Sequence, residues 1–323
     1  MKKKIFFNKI LPLCILLFFI KWFFFFNTKL EIDLLTKFIF EIKDWQYFTF
    51  IYNLSNFNFN PSYNPNLTEL KFIPLPIYSI LYHSIFFKFF NIYGFIILEF
   101  FIILLFFIIL FNFFTKLGIV KIESIFLTFF LFCVPNLIDY FQLYKINYLH
   151  IIGDLYNLRI PRPSISHLYL FSFFLLLISN KKNNELRSGQ LILIGLIFAL
   201  MWGSFYYNLV ISGITFIIYY LYLTHNSNQN FFTYLKDTFL VLVSFIFFSI
   251  PIILIILNSE PDWLIRVGLV ELDINKKKIL LSHFIEKILS IKFITIFILM
   301  TLFYFFLKSK KIYKIEGINL LYF

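Results

Sequence analysis

Residues 95–111 read FIILEFFIILLFFIILF, and residues 239–257 read FLVLVSFIFFSIPIILIIL. The first run carries one charge, Glu99, and the second carries none. Crossing the hydrocarbon layer of a bilayer, roughly 30 Å, takes about 20 apolar residues as helix. A helix at the edge of a soluble core keeps a polar face opposite its apolar stripe, and these runs have no such face. The expected fold is therefore all-α: a polytopic transmembrane helical bundle. The two runs lie in spans expected near 95–114 and 238–257, and further spans are expected near 8–26, 75–92, 119–134, 164–179, 190–204, 206–223 and 288–307, so that 1–323 forms a single integral-membrane domain with about eight or nine spans. Residues 190–223 are nearly continuous in apolar character, broken by Trp202-Gly203-Ser204. That break suits either a tight hairpin or one long kinked helix.

Composition points the same way. Hydrophobic residues make up 60% of the chain and charged residues 14%, where soluble domains carry about 25% charged. The net charge is +12. Basic residues gather in loops on the cytoplasmic face of a membrane, where they meet anionic lipid. This accounts for the charge better than nucleic acid does, so a lipid bilayer is the expected partner. The 51 phenylalanines stand against a single alanine, Ala199. Phe, Ile, Asn, Lys and Tyr together match AT-rich codons, so the phenylalanines read as drift filling lipid-facing positions. Cys14 and Cys133 lie in apolar runs without metal spacing. The N-terminal MKKKIFFNKILPLCILLFFIKWFFFF begins like a signal peptide but has no small-residue cleavage site, which favours an uncleaved first span. The C-terminal KSKKIYKIEGINLLYF turns apolar again and stops. That suits a piece of a longer protein or a chain that simply ends there.

Three connections are long: 27–74, 135–163 and 258–287. Others are short and basic, carrying Lys116 and Lys121, or Lys181, Lys182 and Arg187. Charge bias places the short basic loops and Lys2–Lys4 in the cytoplasm and the three long loops outside. The expected location is the inner (cell) membrane, multi-pass, with a cytoplasmic N-terminus. Three full crossings before Lys116 would put that residue outside. One early segment must then fail to cross, and 75–92, with Pro76, His83, Lys88 and Asn91, is the one expected to be partly buried or re-entrant.

The first loop contains EIDLLTKFIFEIKDWQYFTFIYNLSNF at 31–57. Ile32, Leu35, Ile39 and Ile42 recur at helical spacing, as in a helix lying on a membrane surface. A turn-rich NFNFNPSYNPN follows at 56–66, and Pro74 and Pro76 open the next apolar segment. A first span, a loop with surface helices and acids, then Asp44-Trp45-Gln46-Tyr47 and KFIPLPIYSILYHSIFFKFFNIYG (71–94) resembles the C-type glycosyltransferase superfamily over about a third of the chain. The resemblance implies a membrane enzyme that moves a sugar from a polyprenyl-phosphate donor to an acceptor in the cell envelope at the outer face. It also implies that an acid early in the first loop acts as base. Asp33 and Asp44 match that position, and Trp45 and Tyr47 beside Asp44 suit packing on a sugar face. Both acids equally suit the solvated side of a surface helix.

In the second loop, Arg159 and Arg162 bracket Pro161, and Pro163 follows. Prolines stiffen the backbone, and arginine forks onto phosphate. The pair therefore suits a lipid-phosphate grip, an interfacial anchor, or ion pairs to Asp139 or Asp154. His150 and His167 with Asp154 match no metal spacing, and no metal is assigned. In the third loop, Arg266 suits donor-phosphate contact or a solvated amphipathic segment. Inside the apolar segments, Glu99 and His83 are the polar candidates, since burying an ionisable group in lipid is costly without a partner. Paired across the Asn91–Gly94 turn, they would serve a structural contact or a proton relay. Two alternative functions remain: a transporter or flippase for a lipid-linked glycan or small solute, and an envelope polysaccharide polymerase or ligase. The first would use Glu99 and His83 along an interior pathway, and the second the outer-loop arginines.

Overall fold

The computed structural model describes residues 6–26, 47–58, 77–140, 164–179, 188–226 and 231–258, together with Lys278, Ile279, Ser282, Glu286 and Ile298. The chain divides into two compact units, Met1–Ser259 and Glu260–Phe323. In the second unit the five described residues are helical, and Ser282 Oγ donates to the Ile279 carbonyl at 2.8 Å.

The described residues of the first unit form nine α-helices and no strand. A π-helical turn, Phe6–Ile10, leads into α1 (Leu11–Phe26). Then follow α2 (Tyr47–Ser55), α3 (Ile77–Phe90), α4 (Tyr93–Lys116), α5 (Lys121–Tyr140) and α6 (Ser164–Ser179). The last three are α7 (Ser188–Trp202), α8 (Tyr206–Asn226) and α9 (Phe231–Leu257). Two helices are long and apolar enough to cross a membrane: Tyr93–Lys116, and Phe232–Leu257 within α9. Asn8–Phe19, Ile77–Phe90, Ile165–Ser179, Ser188–Trp202 and Tyr206–Tyr220 are apolar but shorter. Of the expected eight or nine spans, two helices of spanning length are found among the described residues. The expected span at 288–307 lies outside them, apart from Ile298.

Ring contacts give the helices their directions. Phe18 on α1 meets Phe100 at 5.5 Å, while Lys9 lines a cleft with Thr115 and Lys121, so α1 runs antiparallel to α4. Phe132 on α5 meets Phe106 and Phe107 at 5.4 and 6.1 Å, which makes α4–α5 an antiparallel hairpin. Gly118 sits in its turn at φ 93°, a conformation that L side chains rarely adopt. α6 lies parallel to α4, with Phe171 against Phe106 and Phe113, and Ile178 packed with Phe113 and Leu117. α7 returns antiparallel, Phe173 meeting Phe198 at 5.3 Å. The Trp202 break is a tight hairpin rather than a kink, because Phe198 on α7 meets Phe216 on α8 at 6.0 Å.

α9 then runs parallel to α7. Gly195 lies against Ser244, and Gly203 against Ile252. A Cβ on Gly195 would come within 2.6 Å of Ser244 Cβ and 2.8 Å of the Phe245 nitrogen. Such small-residue contacts let apolar helices approach closely where water supplies no driving force.

The short early helices do not traverse this bundle. α3 ends at Asn91, at φ 52°, and the chain turns at once into α4. Phe87 meets Phe95 at 5.8 Å, and a Cβ on Gly94 would lie 2.4 Å from the Phe86 carbonyl oxygen. α2 packs on the same hairpin, Phe48 meeting Phe87 and Phe95 at 5.5 and 5.8 Å. Of the surface helix expected within 31–57, residues 47–55 are helical, and 31–46 lie outside the described residues. The end of α1, the helices α2 and α3, and the start of α4 therefore share one end of the bundle. Lys9 and Lys116 share the other, as a non-crossing 75–92 segment requires.

Candidate functional site at the loop-bearing end

The same directions place the departure points of all three long connections together. The first long connection runs from the end of α1 to the start of α3. The second runs from the end of α5 to the start of α6. The third begins after α9, whose last two turns lie beside the α7–α8 turn. The connection 117–120, the end of α6, the start of α7, the end of α8 and the start of α9 lie at the opposite end.

At the loop-bearing end, hydroxyl and amide groups are buried between helices. A polar group buried in an apolar setting must find a partner or costs about 1–3 kcal/mol. Many in this chain satisfy themselves within their own helix. Ser84 donates to Ile80 O at 3.0 Å, Thr128 to Ser124 O at 2.7 Å and Ser172 to Leu168 O at 2.7 Å. Around Tyr78 the bonds instead run between helices. The Tyr78 N–H donates to Gly203 O at 3.2 Å, and its hydroxyl donates to Phe248 O at 3.1 Å. The Tyr169 hydroxyl donates to Tyr78 O at 3.4 Å. Ser79 and Ser204 share a hydroxyl–hydroxyl hydrogen bond, both buried. Asn208 Nδ2 donates to Ser166 O at 3.1 Å. One junction thereby joins α3, α6, the α7–α8 turn and α9.

The location follows from local chemistry. The first residues of α3 have N–H groups with no partner inside their helix, so the Tyr78 N–H is available for Gly203. Pro251 sits inside α9 and removes the N–H that would bond Phe247 O. Tyr78 donates its hydroxyl to the next carbonyl, Phe248 O, beside this break in the helix ladder. Ser249, next to the Tyr78 acceptor residue, is fully buried, and its Oγ has no hydrogen-bond partner among the described residues.

His83 is buried one turn after Ser79, its Nδ1 3.1 Å from Ser79 O, with the Phe95 ring 5.8 Å from its own. Glu99 lies half-buried on α4, one turn beyond Phe95. The two polar candidates of the apolar segments therefore lie on the two helices of the α3–α4 hairpin. Asp33, Asp44, Arg159, Arg162 and Arg266 lie outside the described residues, as do His150 and Asp154. In sequence, Asp44 precedes α2 by three residues and Arg162 precedes α6 by two. Among the described residues, no group of three His, Cys, Asp or Glu side chains comes together to hold a metal.

Sequence reasoning passed over Tyr78, Ser79, Tyr169, Ser204 and Asn208. Their signal was present: polar residues that interrupt apolar helices in a chain biased towards Phe and Ile. The run Trp202–Asn208, WGSFYYN, holds two of them. Comparison with protein-family models, with curated proteins and with solved structures found no match for this chain.

Proposed function

We propose that this chain is a membrane-embedded glycosyltransferase that takes a sugar from a polyprenyl-phosphate donor and passes it to an envelope acceptor at the outer face. The observation that carries the reading is that the helix ends from which the three long connections depart lie together at one end of an apolar bundle. Asp44, Arg159, Arg162 and Arg266 all belong to those connections. A lipid-linked donor needs this division: an apolar flank for its chain, and polar groups at one rim for its phosphate and sugar.

The flank supports the bilayer part of the reading. Phe126 and Phe130 on α5 are 68% and 61% exposed, and Phe239 and Phe247 on α9 are 66% and 64% exposed. Apolar surface on this scale marks a partner or a membrane. Lys9, Lys116 and Lys121, all exposed at the end away from the long connections, fit a cytoplasmic face. The N-terminus is then cytoplasmic and the long connections lie outside.

In the proposed reaction the acceptor hydroxyl gives its proton to the Asp44 carboxylate as its oxygen bonds to the anomeric carbon. The bond from that carbon to the phosphate oxygen breaks, and polyprenyl phosphate leaves with the electron pair. Arg159 and Arg162 hold the phosphate, where a fixed fork of N–H donors offsets its charge. Asp33 is the second candidate for the base.

The test is Asp44→Asn in the full chain, read as transfer from polyprenyl-phosphate sugar and as the envelope glycan profile. A positioned base contributes about 100-fold or more to such a step, so transfer falls by at least that factor while the protein melts as before. An unchanged profile removes Asp44 from the role. If Asp33→Asn also leaves it unchanged, the transferase reading fails.

A further inference from the structure

The end opposite the long connections carries a cleft of about 570 Å³ lined by Lys9, Thr115, Ile119, Val120, Lys121, Ile122 and Ile125. Its walls come from three elements: the turn before α1, the end of α4 and the start of α5. Both lysines are exposed, and Lys116 is exposed at the same turn. Ligand pockets span about 300–1,000 Å³ and combine apolar walls with a few placed polar groups. This cleft has that make-up, with two positive charges at its mouth.

We infer that the cleft binds one anionic phospholipid, its phosphodiester held between Lys9 and Lys121 and one acyl chain lying along α5. The charge selects the headgroup: two ammonium groups on different helices face one cleft, and basic pockets between membrane helices on the cytoplasmic side take anionic headgroups. The Thr115 hydroxyl lies at the same mouth but is directed inward, donating to Asn112 O at 3.0 Å. The charge contact therefore rests on the lysines. The apolar stripe selects the tail. Ile122, Phe126 and Phe130 are all exposed and follow one another at i, i+4 and i+8, so they form one line leading away from the cleft along α5. A free anion would use the lysines and leave this line uncovered, whereas a phospholipid covers both.

The site would hold the α1–α4–α5 side at a fixed depth, because a headgroup sits at the membrane surface. It rests on the bilayer part of the proposed function and is independent of glycosyl transfer.

The test uses the full chain, purified in detergent and given equal amounts of phosphatidylglycerol and phosphatidylcholine. Native mass spectrometry reads the retained lipid. The expected result is one phosphatidylglycerol retained in preference to phosphatidylcholine. A juxtamembrane lysine contributes about a fivefold gain in binding to anionic lipid, so Lys9→Gln with Lys121→Gln lowers retention about 30-fold. Lys236→Gln, an exposed lysine near the start of α9, leaves it unchanged. Ile122→Asn lowers retention of the lipid but not the preference for its headgroup. Equal retention by wild type and the double variant overturns the site. So does displacement of the lipid by excess inorganic phosphate, which would mark a simple anion site. A chain that stays soluble without detergent overturns the bilayer reading itself, a separate outcome from either of these.

Discussion

Around Phe106 and Phe107, side chains meet ring to ring. Around Tyr78 and Ser204, they meet through hydrogen bonds. The first region joins α1, α4 and α5 through an apolar cluster of Ile10, Cys14, Leu17, Ile103, Phe106, Phe107, Leu110 and Phe132, with Leu168 and Phe171 of α6 packed against it. The Phe107 and Phe132 rings stack at 11°, and Phe106 meets Phe132 edge-on at 80°. Contacts of this kind are non-directional and sum many small attractions. The second region joins α3, α6, the α7–α8 turn and α9 through bonds that hold at one register only. Shifting α3 by one residue would strand the Tyr78 and Ser79 partners together. The first region can absorb sequence drift among large apolar residues, and the second cannot.

That difference can be broken in the second region most easily by steric means. Gly195→Leu forces side-chain atoms into Ser244 and the backbone of Phe245. Overpacking against backbone costs about 3 kcal/mol at the upper end of its usual range. Thermal unfolding in detergent should show the largest loss here, with α9 separated from α7. A melting curve like wild type would mean that the α7–α9 contact is not close.

A chemical change sharpens the comparison. Tyr78→Phe keeps the ring and removes the donor to Phe248 O. Losing this bond between helices costs about 1.5 kcal/mol, read as thermal unfolding in detergent. A melting curve like wild type would show that the bond does not hold α3 to α9.

The smallest effect belongs to the first region. Phe132→Leu exchanges one large apolar side chain for another among rings that can repack. It should cost about 1 kcal/mol, less than Tyr78→Phe, although Phe132→Leu removes a whole ring and Tyr78→Phe a single oxygen. Were Phe132→Leu the more damaging of the two, the polar junction would not be what fixes helix position.

The helices themselves were legible in the sequence. The apolar run at 164–179 matches α6, and 206–223 lies within α8. Helix is the solution for a long apolar run because it satisfies its own backbone without water. Lengths were less legible. Residues 119–134 extend to Tyr140, and 238–257 begins seven residues early at Phe231, because helix ends are set by caps and neighbours rather than by hydropathy. The Trp202 break read equally as hairpin or kink, and the Phe198–Phe216 contact decided it.

Among the candidate residues, the sequence brought out only the titratable ones. Charged residues stand out in an apolar chain, so Asp44, Arg162, Glu99 and His83 were noticed. Neutral hydroxyls do not stand out, since a serine that bonds back within its helix looks the same as one that reaches across. Ser84 and Ser79 are five residues apart on one helix. The first bonds to its own turn, and the second to Ser204.

Local order therefore came from the sequence alone: apolar runs without charge must be helices, and their basic and long connections must alternate in kind. Tertiary structure decided what is non-local. It placed the departure points of the three long connections at one end, kept α3 from traversing the bundle, and brought Tyr78 to the proline of α9. The physical reason is that backbone hydrogen bonding is settled within four residues. Which helix lies beside which depends on packing and polar partners 91, 125 or 170 residues away.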